Sequence, residues 1–245
     1  EIYTRPDITS LGHYEKEGTV SDYDALIFLA EQLKGTKKPF LGVFFSSAMH
    51  PPFDSIRKEF NKFPTNGPDG GYLNALNYTD WAIGEFIKEL KANNLYDQTI
   101  LFVVADHTLG WGENGSFDNR FKIPFFIHSP NLVTPGTVEA VSSQADIFPT
   151  VLDVLNISAP YVALGGSVFD QKLYNFAFTS MDGRILGWKE DASLIEHSGK
   201  KIVFKDSSEE KTKNMETRLL SFTRAAHDLI KQGKWVPVQS LEVYE

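Results

Sequence analysis

The sequence contains no cysteine, which excludes disulfides, thiolate metal ligands and a cysteine nucleophile. It is also short of positive charge. Twenty-four lysines and arginines face 32 aspartates and glutamates, giving a formal net charge of −8 and a pI of about 5.3. A protein that holds nucleic acid by neutralising phosphates needs a basic face, so no nucleic-acid partner is expected. A phosphate-bearing substrate stays open, because a bound cation reverses the local field. No stretch approaches the roughly 20 apolar residues that span a bilayer, and there is no signal-peptide pattern. Internal repeats and low-complexity tracts are missing too. The chain begins with Glu1 and not Met, which we read as a fragment or processed form.

What is present is ordinary globular material. Hydrophobic residues make up 42% and charged residues 23%, enough to bury a core. The 245 residues suit one large α/β domain, or a domain with a small appendage. From Ser21 the pattern is helical, with Leu26, Leu29, Ala30 and Leu33 at helical spacing and Ser21 or Asp22 as N-cap. Pro39 to Phe45 is a continuous apolar run that predicts a buried strand. It ends at His50-Pro51-Pro52, where proline forbids further regular structure. Tyr72 to Leu90 predicts a long amphipathic helix, closed by Asn93-Asn94. Thr99 to Ala105 is the clearest strand and runs directly into Asp106-His107, and Ile123 to Ile127 is another. Asp146 is placed to cap a helix with Pro149 in its first turn. Residues 174–205 read as short strands with a hairpin turn at Ser198-Gly199, followed by a helix carrying Leu219, Leu220, Phe222, Ala226 and Leu229.

Strands alternating with helices build a mainly parallel sheet flanked by helices, and ligands gather beyond the carboxyl ends of such strands. Both chemically interesting positions, His50 and Asp106-His107, stand just past a predicted strand. A carboxylate and an imidazole there can share a divalent cation; the bland alternative is a surface loop pair. Gly110, Gly112 and Gly115 would let backbone approach a ligand. His50, stiffened by two prolines, can meet a phosphate or sulfate oxygen, or simply end the strand. His128 reads as a core histidine; His13, His197 and His227 read as solvent-facing, and Glu209-Glu210 as a solvated helix start. Arg120 and Lys122 can meet an anion or merely flank a strand.

Pro39-Phe40…His50-Pro51-Pro52-Phe53, Tyr78-Thr79-Asp80-Trp81, and Leu95-Tyr96-Asp97…Asp106-His107 together resemble the sulfatase-type domain of lipoteichoic acid synthases. Lys122-Ile123-Pro124-Phe125 and Ser143-Gln144-Ala145-Asp146…Pro149-Thr150 are similar in kind to segments of sulfatases and phosphoglycerol transferases. The resemblance covers roughly residues 20–170. It implies an alkaline-phosphatase-like α/β fold, to which the residue pattern adds a small β-containing C-terminal subregion and a final helix. Residues 1–170 would be the C-terminal part of a catalytic domain, and 171–245 the subregion.

The resemblance further implies one divalent metal, manganese first and zinc, magnesium or calcium as alternatives, with Asp106 and His107 as two ligands and His50 on the phosphate group. It implies an enzyme in which a threonine attacks a phosphodiester and passes a phosphoglycerol-type group to an envelope glycolipid or glycan. The expected setting is extracytoplasmic, with membrane attachment through upstream helices. The nucleophile is expected upstream of this chain, since only 49 residues precede His50. Thr19 lies in a Gly-x-Ser-Asp-like helix start with no strand to deliver it, so no catalytic nucleophile is assigned here. Thr108 departs from the glycine that sulfatases carry after the Asp-His pair, which leaves the substrate open. A sulfatase- or phosphatase-type hydrolase and a non-catalytic lipid- or partner-binding member are the alternatives.

Overall fold

The computed structural model describes residues 2–4, 7–8, 20–37, 39–53, 58–65, 69–109, 117–170, 175–181 and 183–233. Thr19, His13, Gly110, Gly112 and Gly115 lie outside them. The chain divides into two compact units, one of residues Glu1–Ile100 with Ser129–Asn131, the other of Leu101–His128 with Leu132–Glu245.

The first unit is built on two helices, α1 (Asp22–Leu33) and α2 (Gly70–Ala92). Ser21 caps α1 by accepting the Asp24 N–H, and α1 ends at Lys34 with Gly35 in the left-handed region (φ 75°). Along α2 the buried residues Ala75, Tyr78, Ala82, Phe86 and Leu90 form one stripe. It packs on α1, whose Leu26, Ala30 and Leu33 are buried. Asn74 grips a single residue of the incoming loop. Its Oδ1 accepts from Phe63 N–H at 2.8 Å, and its Nδ2 donates to Phe63 C=O at 2.9 Å. Gly70 is required at the helix start, since a Cβ there would lie 1.8 Å from Pro64 O.

Residues 39–45 correct the expectation of a buried strand. They take up no regular secondary structure and join no ladder among the described residues. Leu41, Val43 and Phe45 are 84%, 82% and 78% exposed. An apolar run predicts extended backbone, but which chain pairs with it and covers it is set by tertiary partners.

In the second unit β1 (Leu101–Val104) pairs with β2 (Phe125–His128). The pairing is antiparallel, Leu101 opposite His128 and Val104 opposite Phe125. Among the described residues between them lies the short helix α3 (Phe117–Phe121), and β2 returns antiparallel beside β1. Helix α4 spans Ile147–Val154. Strands β3 (Phe176–Met181), β4 (Ile185–Glu190), β5 (Ser193–His197) and β6 (Ile202–Lys205) form an antiparallel meander. All ladders among the described residues are therefore antiparallel, where helix–strand alternation predicted mainly parallel pairing. The α/β class and the C-terminal strands with a final helix stand as expected.

That final helix, α5 (Glu209–Gln232), is capped by Ser208 and closed by Gly233 at φ 65°. Met215 and Leu219 pack with Trp188 and Ile195, and Phe176, Phe178, Leu186 and Phe222 surround them. Leu220, expected on that face, is exposed.

Two histidines exchange their expected places. His128 is exposed because the pleat turns it outward at the ladder's end. His197 is 2% exposed, because β5 turns it inward. Its Nε2 lies 3.1 Å from Glu216 Oε1, and its Nδ1 accepts the Gly199 N–H at 2.9 Å. His227 and Glu209-Glu210 are exposed, as expected.

Candidate active site

Pairing of β1 continues one residue past the strand, where Ala105 N–H donates to Pro124 O at 3.3 Å. The chain then turns, and Asp106 and His107 come out into solvent, their side chains 57% and 78% exposed. Asp106 Oδ1 accepts the His107 N–H at 2.9 Å, so the carboxylate folds back over its own turn. His107 Nδ1 lies 2.6 Å from the Thr108 carbonyl. A carbonyl only accepts, so Nδ1 carries the hydrogen and, in the neutral ring, Nε2 presents a lone pair.

That lone pair stands 3.6 Å from Asp106 Oδ2. Two electron-rich atoms at this separation are close to the roughly 3.4 Å between neighbouring ligands of a tetrahedral cation with bonds near 2.1 Å. The pair thus fits as two ligands of one hard or borderline cation, with the second ring nitrogen anchored on a carbonyl as metal-binding imidazoles usually are. Among the described residues no three His, Cys, Asp or Glu side chains group closely enough to complete such a site.

The turn is held from two sides. Gln144 Nε2 donates to the carbonyls of Ala105 at 3.1 Å and Asp106 at 2.7 Å. Thr108 Oγ1 donates to Arg120 O at 2.6 Å, so the residue that departs from the sulfatase pattern ties the loop to α3. Gln144 in turn sits in a short 3₁₀ turn, Gln144–Asp146, fixed by a reciprocal capping box with Ser143. This revises the expected role of Asp146. It stands at the N-cap position of α4, but its side chain makes no capping bond there; Oδ2 reaches back to Ser143 N–H at 2.7 Å and Oδ1 accepts the Gly166 N–H at 2.9 Å. Sequence reasoning quoted Gln144 without giving it a task. The available signal was a polar residue in a capping box directly before an apolar helix.

The side chain of Arg120 serves a different carboxylate. It acts on Glu196, whose carboxyl is pushed above its usual range by burial, an effect that Arg120 partly offsets.

His50 belongs to the first unit and is exposed. Its N–H donates to Ser47 O at 3.2 Å and its C=O accepts from Phe53 N–H at 3.1 Å. His50 Nδ1 lies 2.7 Å from Pro51 O, so this ring too keeps its hydrogen on Nδ1. Nε2 can then donate to a phosphate or sulfate oxygen only when the ring carries both protons.

Solved structures share the α/β fold on which this carboxylate and imidazole stand past a strand end. A member of the alkaline phosphatase superfamily from Vibrio parahaemolyticus matches with a TM-score of 0.73 at 21% identity, over 91% of this chain and 59% of that one. The lipoteichoic acid synthase LtaP from Listeria monocytogenes matches with a TM-score of 0.70 at 22% identity, over 91% and 63%.

The chain belongs to the sulfatase family, whose sequence model matches residues 2–157. Among curated relatives, a lipoteichoic acid synthase-like protein of Bacillus subtilis is 27% identical over 158 residues, 56% of this chain and 26% of the relative. A lipoteichoic acid synthase of Staphylococcus saprophyticus is 26% identical over 60% of this chain and 25% of its own length. The aligned part of the chain thus spans about a quarter of these relatives. No helix among the described residues is long and apolar enough to cross a membrane.

Proposed function

We propose that this chain is the C-terminal part of the catalytic domain of an extracytoplasmic enzyme. The enzyme transfers a phosphoglycerol-type group from a phosphodiester lipid to an envelope glycolipid or glycan. Residues 1–170 form that part and 171–245 an appended subregion. The observation that carries the reading is the Asp106–His107 pair, two lone-pair donors facing each other at 3.6 Å in a family whose curated relatives are named lipoteichoic acid synthases.

In this reading Asp106 and His107 hold one divalent cation, manganese by preference, with zinc, magnesium or calcium as alternatives. When bound, the cation supplies charge stabilisation for phosphoryl and alkoxide oxygens. His50, doubly protonated, meets a phosphate oxygen. A threonine outside these residues is the nucleophile, and its covalent intermediate divides one difficult displacement into two easier ones. Thr19 is not that residue. Membrane attachment comes from segments outside the chain. The family match itself favours a second reading, in which water is the acceptor and the enzyme is a sulfatase- or phosphatase-type hydrolase.

The test is a thermal melt of this chain with and without Mn²⁺, alongside Asp106→Ala. A manganese-dependent rise in Tm that the variant loses supports the metal pair. A rise of equal size in both removes Asp106 from the site. In the full-length protein, release of free phosphoglycerol in place of transfer to an added glycolipid would favour the hydrolase.

A further inference from the structure

Asp22 opens α1, yet its carboxylate is not spent on that helix. Ser21 provides the cap, accepting the Asp24 N–H at 3.1 Å and giving its own hydroxyl proton to Asp24 Oδ2 at 2.7 Å. Asp22 is 1% exposed, and four donors converge on it. Ser47 N–H and Ala48 N–H reach Oδ1 at 2.9 and 3.3 Å; the hydroxyls of Ser46 and Thr79 reach Oδ2 at 2.5 and 3.2 Å. A buried carboxylate is tolerated where its lone pairs are filled in this way.

Two of these donors are backbone groups of the turn that carries His50. Ser47, whose N–H is held by Asp22, accepts the His50 N–H on its own carbonyl at 3.2 Å. The link from the buried carboxylate to the exposed imidazole is therefore one residue long. Thr79 on α2 fixes the same carboxylate from the other side, so the turn is referenced to both helices at once.

We propose that Asp22 is the positioning residue of His50. It fixes the backbone from which the imidazole is presented to a phosphate oxygen, and this rests on the reading of His50 given above. The geometry also orders the variants. Asp22→Asn keeps an oxygen in the place of Oδ1 for both backbone donors, and the two hydroxyls can reverse to accept from its amide. Asp22→Ala removes all four contacts.

The experiment is a double-mutant cycle in the full-length protein with Mn²⁺, following turnover of a fluorescently tagged phospholipid with a phosphoglycerol headgroup. His50→Ala and Asp22→Ala are each expected to lower kcat/KM tenfold or more. The combined variant should fall within twofold of His50→Ala alone, and Asp22→Asn should recover most of the loss. A purely structural role would instead give multiplicative losses. If Asp22→Ala shows no cooperative melt, the cycle is run with Asp22→Ser, whose hydroxyl leaves room for a water to satisfy the donors. Multiplicative losses overturn the proposal while leaving His50 its role. An unchanged kcat/KM in His50→Ala overturns that role and the proposal with it.

Discussion

Replacing Gln144 by Ala should weaken manganese binding without unfolding the protein. The amide makes two hydrogen bonds, 3.1 Å to Ala105 O and 2.7 Å to Asp106 O, and it is exposed. Each such bond contributes a net of about 0.5–1.5 kcal/mol, and exposure puts these two at the lower end, about 1–2 kcal/mol together. If that free energy is spent on holding the Asp106 turn in its ligand-bearing conformation, the manganese Kd rises by about 5- to 30-fold. Loss of a group that supports a metal ligand commonly costs about 10- to 100-fold, which overlaps this range. Gln144→Asn is the companion variant. It is one methylene too short to reach both carbonyls, so it should behave like Ala although it keeps the amide. The assay counts free Mn²⁺ by its EPR signal during titration of the full-length protein, with Asp106→Ala as the non-binding control. A Gln144→Ala Kd within twofold of wild type, with Asp106→Ala binding nothing, would refute the reasoning, because the turn would then hold its shape unaided.

Gly165→Ala should act on the same assay from one step further away. Its Cβ would lie 2.2 Å from Asp146 Oδ1 and 2.6 Å from Ala145 backbone atoms. Displacing Asp146 costs about 1–3 kcal/mol of stability and disturbs the capping box that carries Gln144, so Tm and manganese affinity should fall together. Ile195→Ala empties the centre of the C-terminal core, where Ile195 is fully buried against Trp188, Met215 and Leu219. Urea unfolding should show a loss of about 2–5 kcal/mol with an unchanged m-value. Glu196→Gln should raise Tm at pH 7. Burial holds the Glu196 carboxyl above its usual range, so the folded state binds the proton more tightly and stability falls as pH rises through that window. The gain should vanish below about pH 4, where wild-type Glu196 is neutral as well. Equal Tm values at both pH values would count against a partly buried carboxylate at this position.

The sequence made the local elements legible wherever one face was dry and the other wet. The stripe from Ala75 to Leu90 announced α2, and Ser198-Gly199 marked a real turn, with Gly199 at φ 80°. What it concealed depended on partners far along the chain. His197 read as solvated because nothing local reveals that Glu216, nineteen residues later, accepts a hydrogen bond from its Nε2–H. The run from Pro39 to Phe45 read as buried because apolar composition reports a preference, not the presence of a neighbour. The candidate site followed the same rule. Asp106 and His107 were visible as chemistry at a strand end and His50 as chemistry held by two prolines, whereas Gln144 and Asp22 act on backbone groups, and a residue's value to a distant peptide leaves no mark in spacing.

The open segment around Leu41, Val43 and Phe45 has a practical consequence. An exposed run of large apolar side chains is adhesive towards apolar surface on another chain. Leu41, Val43 and Phe45 should therefore favour self-association of this polypeptide, which its net charge of −8 opposes. Pro39 at one end and the hydroxyl pair Ser46-Ser47 at the other serve as stops, confining the sticky stretch to about 20 Å of chain.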